Sequence, residues 1–370
     1  METCQRLGIQ TVAVFSEADA DSKFVRMADE AVCIGPAESA QSYLNVKKLL
    51  TVIKETGAEA VHPGYGFLSE NAAFSQAVED AGAVFLGPGP FAINQMGDKI
   101  QSMIVANEAG VSTTNGGAVE SVEDAGKIAE RISYPIILKA SAGGGGKGMR
   151  VAWDSSELPE AFRMAKAEAK SFFNDDRILI EHYVQAGRHI EIQVLADNFG
   201  NAVYLHEREC SIQRRNQKVL EEAPSVLLDE ATRKKMGEQA CALAIACGYR
   251  SAGTVEFIVD NERNFYFLEM NTRLQVEHPV SEMITGIDLV EQMIRVGAGQ
   301  PLSIKQEDIK LDGWAVEARV YAENPFKDFL PSVGHVVRYI EPTGDGIRCD
   351  SGIIRRGRCC NYASPPRCSI

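Results

Sequence analysis

Residues 139–150 read KASAGGGGKGMR, four consecutive glycines and a lysine set between the apolar runs YPIILKA and MRVAW. Gly143, Gly145 and Gly148 fit G-x-G-x-x-G, but a dinucleotide loop of that pattern opens a helix, and MRVAW reads as a strand. A P-loop needs Ser or Thr after its lysine, and here Gly148 follows Lys147. Protein kinases use a glycine-rich hairpin, yet the chain has no HRD and no DFG. What remains is a hairpin loop closing over a nucleotide's phosphates, or else a solvated surface turn. Gly143, Gly144, Gly145, Gly146 and Gly148 would let backbone N–H groups approach phosphate oxygens and let the loop move. Lys139, ending the strand before the loop, would aim a fixed positive charge at the same oxygens.

A second stretch, GTVEFIVDNERNFYFLEMNTR (253–273), reads as a hairpin with its loop at 261–264. Pairing Asp260 with Phe265 places Glu256 opposite Glu269, and period-two alternation adds Asn271 to that face. Phe257, Val259, Tyr266 and Leu268 are expected on the other face. Two carboxylates and an amide oxygen are hard ligands suited to Mg²⁺ (or Mn²⁺) bridging phosphates; the alternative is a solvated polar face.

Outward from these stretches, residues 1–97 alternate short strands and helices, which implies a doubly wound parallel α/β sheet. The chain starts inside a helix (Glu2–Leu7), so the first strand of such a sheet is expected to be absent. Residues 98–300 change to antiparallel hairpins with a few helices, an α+β unit. A third unit starts at 301 with the strands WAVEARVYA and GHVVRYIEP and runs to 353. The tail 354–370 has no periodicity of either kind.

With 370 residues, 45% hydrophobic and 24% charged, the composition is that of a globular protein of two or three domains. A net charge of −13 argues against nucleic-acid binding, which demands a basic face. The apolar runs are far shorter than the roughly 20 residues of a membrane span. Nine cysteines without CxxC pairs and six histidines without HExxH suggest reduced core thiols and no structural zinc.

HPGYGFLSEN (62–71), MGDK (96–99), KASAGGGGKGMR, RHIEIQV, ERECSIQRRNQKVLEEAP and EMNTRLQVEHPVSE occur in order along nearly the whole chain. Together they resemble the ATP-grasp enzymes, and more narrowly the biotin carboxylase portion of biotin-dependent carboxylases. The last two motifs are long and specific. Asn216 in QRRNQK and the run DGWAVEARVYAENPFK are similar to the α subunits that serve propionyl-CoA. EMNTRLQVEHPVSE speaks against a carbamoyl-phosphate synthase, the alternative ATP-grasp ligase; a non-catalytic nucleotide-binding remnant is the other alternative.

The resemblance implies a central ATP-grasp domain followed by the start of a biotin carboxylase C-terminal domain. It implies ATP, Mg²⁺ and biotin as cofactors, the biotin carried on a separate carrier domain. The partners implied are bicarbonate, a biotinyl carrier domain, a carboxyltransferase β subunit and a second copy in a homodimer. It implies Lys99 and Lys139 at the ATP phosphates under the glycine lid, Glu181 at the adenine edge, and His189 and Gln213 around the nucleotide. Glu256, Glu269 and Asn271 match the metal ligands. Glu277 matches the general base for bicarbonate, with Arg273, Gln275 and Val276 around the anion. Arg319 matches the arginine that stabilises the biotin enolate, and Lys218 adds positive charge nearby. A carboxylate base beside cations stays ionised until it takes its proton, which makes this set chemically sensible. HPGYGFLSEN is read as turn architecture. An opening strand, a downstream segment and the carrier are expected elsewhere than in this chain. The compartment expected is the mitochondrial matrix in a eukaryote and the cytoplasm in a bacterium.

Overall fold

The computed structural model describes residues 1–142, 148–332, 334–336, 338–352 and 358–359. Gly143, Gly144, Gly145 and Gly146 and nearly all of the 354–370 tail lie outside the described residues.

Val12–Ser16 pairs in parallel with Glu30–Gly35, and Ala60–Val61 in parallel with Val84–Phe85. The expected single sheet is therefore divided into two two-stranded sheets. Two extended residues offer few ladder hydrogen bonds, so the second pair is held by packing: Phe74, Val78, Phe85 and Ile93 share one buried cluster with Leu68.

The centre holds two antiparallel sheets. Four strands, in the order Gly116–Val119, Ile178–His182, Ile136–Ala140 and Met149–Ala152, form the smaller one. Ile136, Leu138 and Ile180 bury one face of it against Leu158–Phe173, a helix whose inner stripe includes Ala161, Ala165 and Ala169. A Cβ on Gly116 would meet the Ile180 carbonyl oxygen at 2.2 Å, so the edge strand pairs this closely only with glycine there.

The larger sheet has six strands, in the order Phe265–Asn271, Ser251–Val259, Arg188–Ala196, Ala202–Arg214, Gln217–Ala223 and Ala315–Ala318. Ala315–Ala318, expected to open the third unit, is its edge strand. Alternation divides Arg188–Ala196 and Ser251–Val259 cleanly. Ile190, Ile192, Val194, Val255, Phe257 and Val259 face the helices Lys99–Glu108 and Glu230–Ala246 in the largest core cluster. Each such side chain stabilises the fold by roughly 1.5–3 kcal/mol. His189, Glu191, Gln193, Thr254 and Glu256 face the other way.

The 251–271 hairpin corrects one expectation. Val259, not Asp260, pairs with Phe265, and a bulge between Glu256 and Phe257 restores the opposition of Glu256 and Glu269. The bulge also exchanges faces near the tip: Phe265 and Phe267, rather than Tyr266 and Leu268, join Phe257 and Val259 in the core. Of the six cysteines whose burial is described, only Cys210 and Cys247 are buried, so core thiols account for a minority of them. Among the described residues no helix is long and apolar enough to cross a membrane.

Candidate active site

The polar face of the six-stranded sheet gathers most of the residues singled out in the sequence. Lys218 is at its centre, with Nζ donating to Glu277 Oε1 at 2.5 Å, to Glu256 Oε1 at 3.3 Å and to Glu191 Oε2. Glu277 occupies the N-cap position of His278–Thr285, but its side chain makes no capping bond. It turns instead between two cations, its other oxygen accepting from Arg319 Nη2 at 2.6 Å. Burial works against ionisation of Glu277; Lys218 and Arg319 outweigh it and hold its pKa below the usual carboxylate range. Burial likewise opposes charge on Lys218, and the carboxylates around it push its pKa well up.

Arg319 also pairs with Glu221, while its buried Nε has no hydrogen-bond partner among the described residues. Glu221 lies directly opposite Glu317 in the ladder. Burial pushes these two carboxyls up, to about 7 for Glu221 and about 8 for Glu317.

Arg208, which the sequence reading passed over, organises this face from beneath. Fully buried, its five N–H groups go to Glu191 Oε1 (2.6 Å), Gln193 Oε1 (2.6 Å), Ser281 Oγ (3.0 Å), Thr254 Oγ1 (3.1 Å) and Gln275 Oε1 (2.6 Å). Glu191, also missed, accepts from both Arg208 and Lys218. The signal available was RHIEIQV: alternation sets Glu191 beside His189 on the charged face, although nothing in it names Arg208 as the cross-strand partner.

His189 Nε2 lies 3.0 Å from Glu256 Oε2, and its Nδ1 lies 3.3 Å from Gln213 Nε2. Burial disfavours a charged imidazole, but Glu256 and Glu191 outweigh it and push the His189 pKa up to about 10. Burial also raises the Glu256 pKa, and Lys218 and His189 bring it down to about 2. Asn271 Nδ2 and Gln275 Nε2 donate to Glu256 Oε1 at 2.8 and 3.0 Å. Val276 is buried beside them.

Glu269 is a third exposed, and its Oε2 lies 3.2 Å from Lys99 Nζ. Lys99 opens the helix Lys99–Glu108, whose cap Asp98 accepts from Ile100 N and from Ser141 Oγ at the start of the glycine loop. The cross-strand carboxylates Glu256 and Glu269 supply the hard oxygen donors that a divalent cation takes, so the residues fit Mg²⁺. The amide oxygen of Asn271 accepts from Arg273 Nη2 at 2.8 Å.

Lys139 and Glu181, assigned from the sequence to different ends of a nucleotide, form one buried ion pair on adjacent strands of the four-stranded sheet. Gly148 closes the loop at φ +68°, and a Cβ there would meet the Ala140 Cβ at 2.9 Å. The two sheets thus present separate groups of charges, one at Lys139 and one around Lys218.

Residues 1–93 match the family model described as biotin carboxylase, N-terminal domain. Residues 98–305 match carbamoyl-phosphate synthase L chain, ATP binding domain, and residues 317–363 match biotin carboxylase C-terminal domain. The chain is 59% identical to the human mitochondrial propionyl-CoA carboxylase alpha chain over 95% of its own length and 49% of that relative's. It is 52% identical to biotin carboxylase 1 of Bacillus subtilis, covering 99% of this chain and 81% of that protein. Among solved structures, the biotin carboxylase domain dimer of Hydrogenobacter thermophilus 2-oxoglutarate carboxylase, in complex with MgADP, ADP and bicarbonate, superposes with a TM-score of 0.93. That structure is 46% identical and covers 100% of this chain and 81% of that one. The chain spans about half the length of the propionyl-CoA relatives it matches. Family models end to end, a relative matched over four fifths of its length and a shared ATP-grasp fold lead to one statement: the chain belongs to the biotin carboxylase family.

Proposed function

We propose that this region carboxylates biotin on a carrier domain using ATP and bicarbonate, the first half-reaction of an acyl-CoA carboxylase with propionyl-CoA as acceptor. The observation that carries the reading is Glu277, a buried carboxylate held between Lys218 and Arg319 and kept ionised by them. In this reading the Glu277 carboxylate takes the proton of bicarbonate, and the freed oxygen attacks the terminal phosphorus of ATP as ADP departs. Arg273, Gln275 and the backbone at Val276 hold the anion. Lys99 and Lys139 neutralise the phosphates as charge builds up on them. Glu256 and Glu269 would hold Mg²⁺, which would supply positive charge to offset that of the phosphates. Arg319, whose Nε has no partner among the described residues, is left with a donor for the ureido oxygen of biotin.

The relatives' names support propionyl-CoA as the acyl class; a biotinyl carrier and a carboxyltransferase β subunit are the partners that family membership implies. The dimeric relative supports self-association. In a eukaryotic source the compartment would be the mitochondrial matrix, as for the human relative.

Bicarbonate-dependent ATP cleavage stimulated by free biotin is the test. Glu277→Gln should keep nucleotide affinity and lower turnover by about 10²–10⁴-fold, the usual cost of removing a general base. Near-normal turnover in that variant would refute the assignment.

A further inference from the structure

Glu70 ends the run HPGYGFLSE, whose glycines the sequence explains as bends and whose acid it leaves unexplained. In the fold its carboxylate reaches the turn that follows the 251–271 hairpin, 202 and 203 residues further along the chain. Oε1 accepts from the Thr272 backbone N–H at 3.0 Å and from Thr272 Oγ1 at 3.3 Å, and Oε2 accepts from Arg273 Nε at 2.8 Å. One carboxylate from the N-terminal unit therefore grips both the backbone and the guanidinium of the segment that carries Arg273.

The remaining contacts of Arg273 show what that grip does. Nη2 donates to Asn271 Oδ1 at 2.8 Å and Nη1 to the Leu274 carbonyl at 3.3 Å. A guanidinium is planar and has five N–H groups. Three are used here, so one on each terminal nitrogen has no partner among the described residues. Two N–H groups on the two ends of a fixed plane suit the two oxygens of a planar carboxylate-like anion. The plane is fixed at its Nε corner by Glu70 alone.

We propose that Glu70 is a positioning residue for bicarbonate: it orients the Arg273 guanidinium and so completes the anion site only when the N-terminal unit is docked. This rests on the reading of Arg273 as a bicarbonate ligand. Glu70 is 41% exposed and Arg273 17%, and an ion pair with one partner this open to solvent adds only modestly to stability. Its removal should therefore appear in anion binding and leave the fold unchanged.

The test uses the full chain and three readouts: KM for bicarbonate in the ATP-cleavage assay, nucleotide affinity, and the thermal unfolding midpoint. Glu70→Gln should raise the bicarbonate KM roughly tenfold, as loss of an orienting partner commonly does, with nucleotide affinity and midpoint unchanged. Glu70→Asp should recover part of the loss. In an Arg273→Ala background, Glu70→Gln should add nothing further. If Arg273→Ala raises the bicarbonate KM and Glu70→Gln does not, the positioning role is wrong while the reading of Arg273 stands. If Arg273→Ala leaves the bicarbonate KM unchanged, that reading fails and the role of Glu70 falls with it. A raised KM accompanied by a lowered midpoint would trace the loss to weakened docking of the N-terminal unit rather than to the orientation of Arg273, and would overturn the proposal.

Discussion

On the four-stranded sheet, Ile136, Leu138 and Ile180 fill the inner face, and among the described residues a single ion pair, Lys139 with Glu181, is buried on its strands. On the six-stranded sheet the face turned away from the core buries Glu191, Arg208, Glu256 and, from beyond the strands, Glu277. Both sheets exclude water, yet by different physics. Apolar packing degrades gradually, methylene by methylene, whereas a buried charge network fails when a single member is lost. The smaller sheet can thus be altered in steps, and the larger one holds its charges all together.

Arg208→Ala probes that contrast at its widest. It leaves Glu191, Gln193 and Gln275 buried without their shared donor, and denaturant unfolding should show a loss of about 3–5 kcal/mol. Arg208→Lys should recover little, since an ammonium cannot reproduce five planar donors. On the apolar side, Leu138→Ala should cost about 2–4 kcal/mol, with the size set by how far the neighbouring alanines close the cavity. If it proves as costly as Arg208→Ala, the distinction between the two sheets fails.

The facing carboxyls Glu221 and Glu317 sharpen the comparison through pH. Burial raises their folded-state values from 4.5 to about 7 and about 8, so the fold binds more protons than the unfolded chain in that interval. Their contribution to stability is complete below about pH 4.5 and is lost as pH rises through 7 and 8. Glu317→Gln should flatten the alkaline decline, an effect on the order of 1–3 kcal/mol near pH 8. A parallel profile, merely displaced, would show that Glu317 does not titrate in this range. At the far end, Lys127 and Asp124 form an exposed pair one turn apart on a helix, and Lys127→Ala should leave the unfolding midpoint unchanged.

Periodicity made much of this architecture readable, and residue chemistry made the site partly so. The helix Val122–Ile132 has Ser121 accepting from Asp124 N at its start and acids in its first turn, so its bounds follow from the sequence. Leu158–Phe173 and Glu230–Ala246 are faintly marked in the sequence: three of the five residues the first buries are alanine, and only Met236 and Leu243 of the six the second buries are large and apolar. The opposition of Glu256 and Glu269 emerged from a register that is one residue out at the tip; the bulge cancels the error. Arg208 and Glu70 stayed hidden for a different reason. Their partners are set by strand order and by docking of the N-terminal unit, relations that local patterns do not encode.

Arg319 continues Ala315–Ala318, a strand with a neighbour on one side only among the described residues, and its amide bonds to the Val219 carbonyl at 3.0 Å. Edge strands open by local fluctuation at lower free energy than strands paired on both sides. The two cations that grip Glu277 therefore stand differently: Lys218 is on a strand flanked on both sides, Arg319 at the end of an edge strand. Amide hydrogens of Ala315–Ala318 should exchange with deuterium ahead of those of Ser251–Val259, and each opening frees one oxygen of Glu277 while leaving the other bound. Exchange in that order would make the hold of Arg319 on Glu277 the shorter-lived of the two.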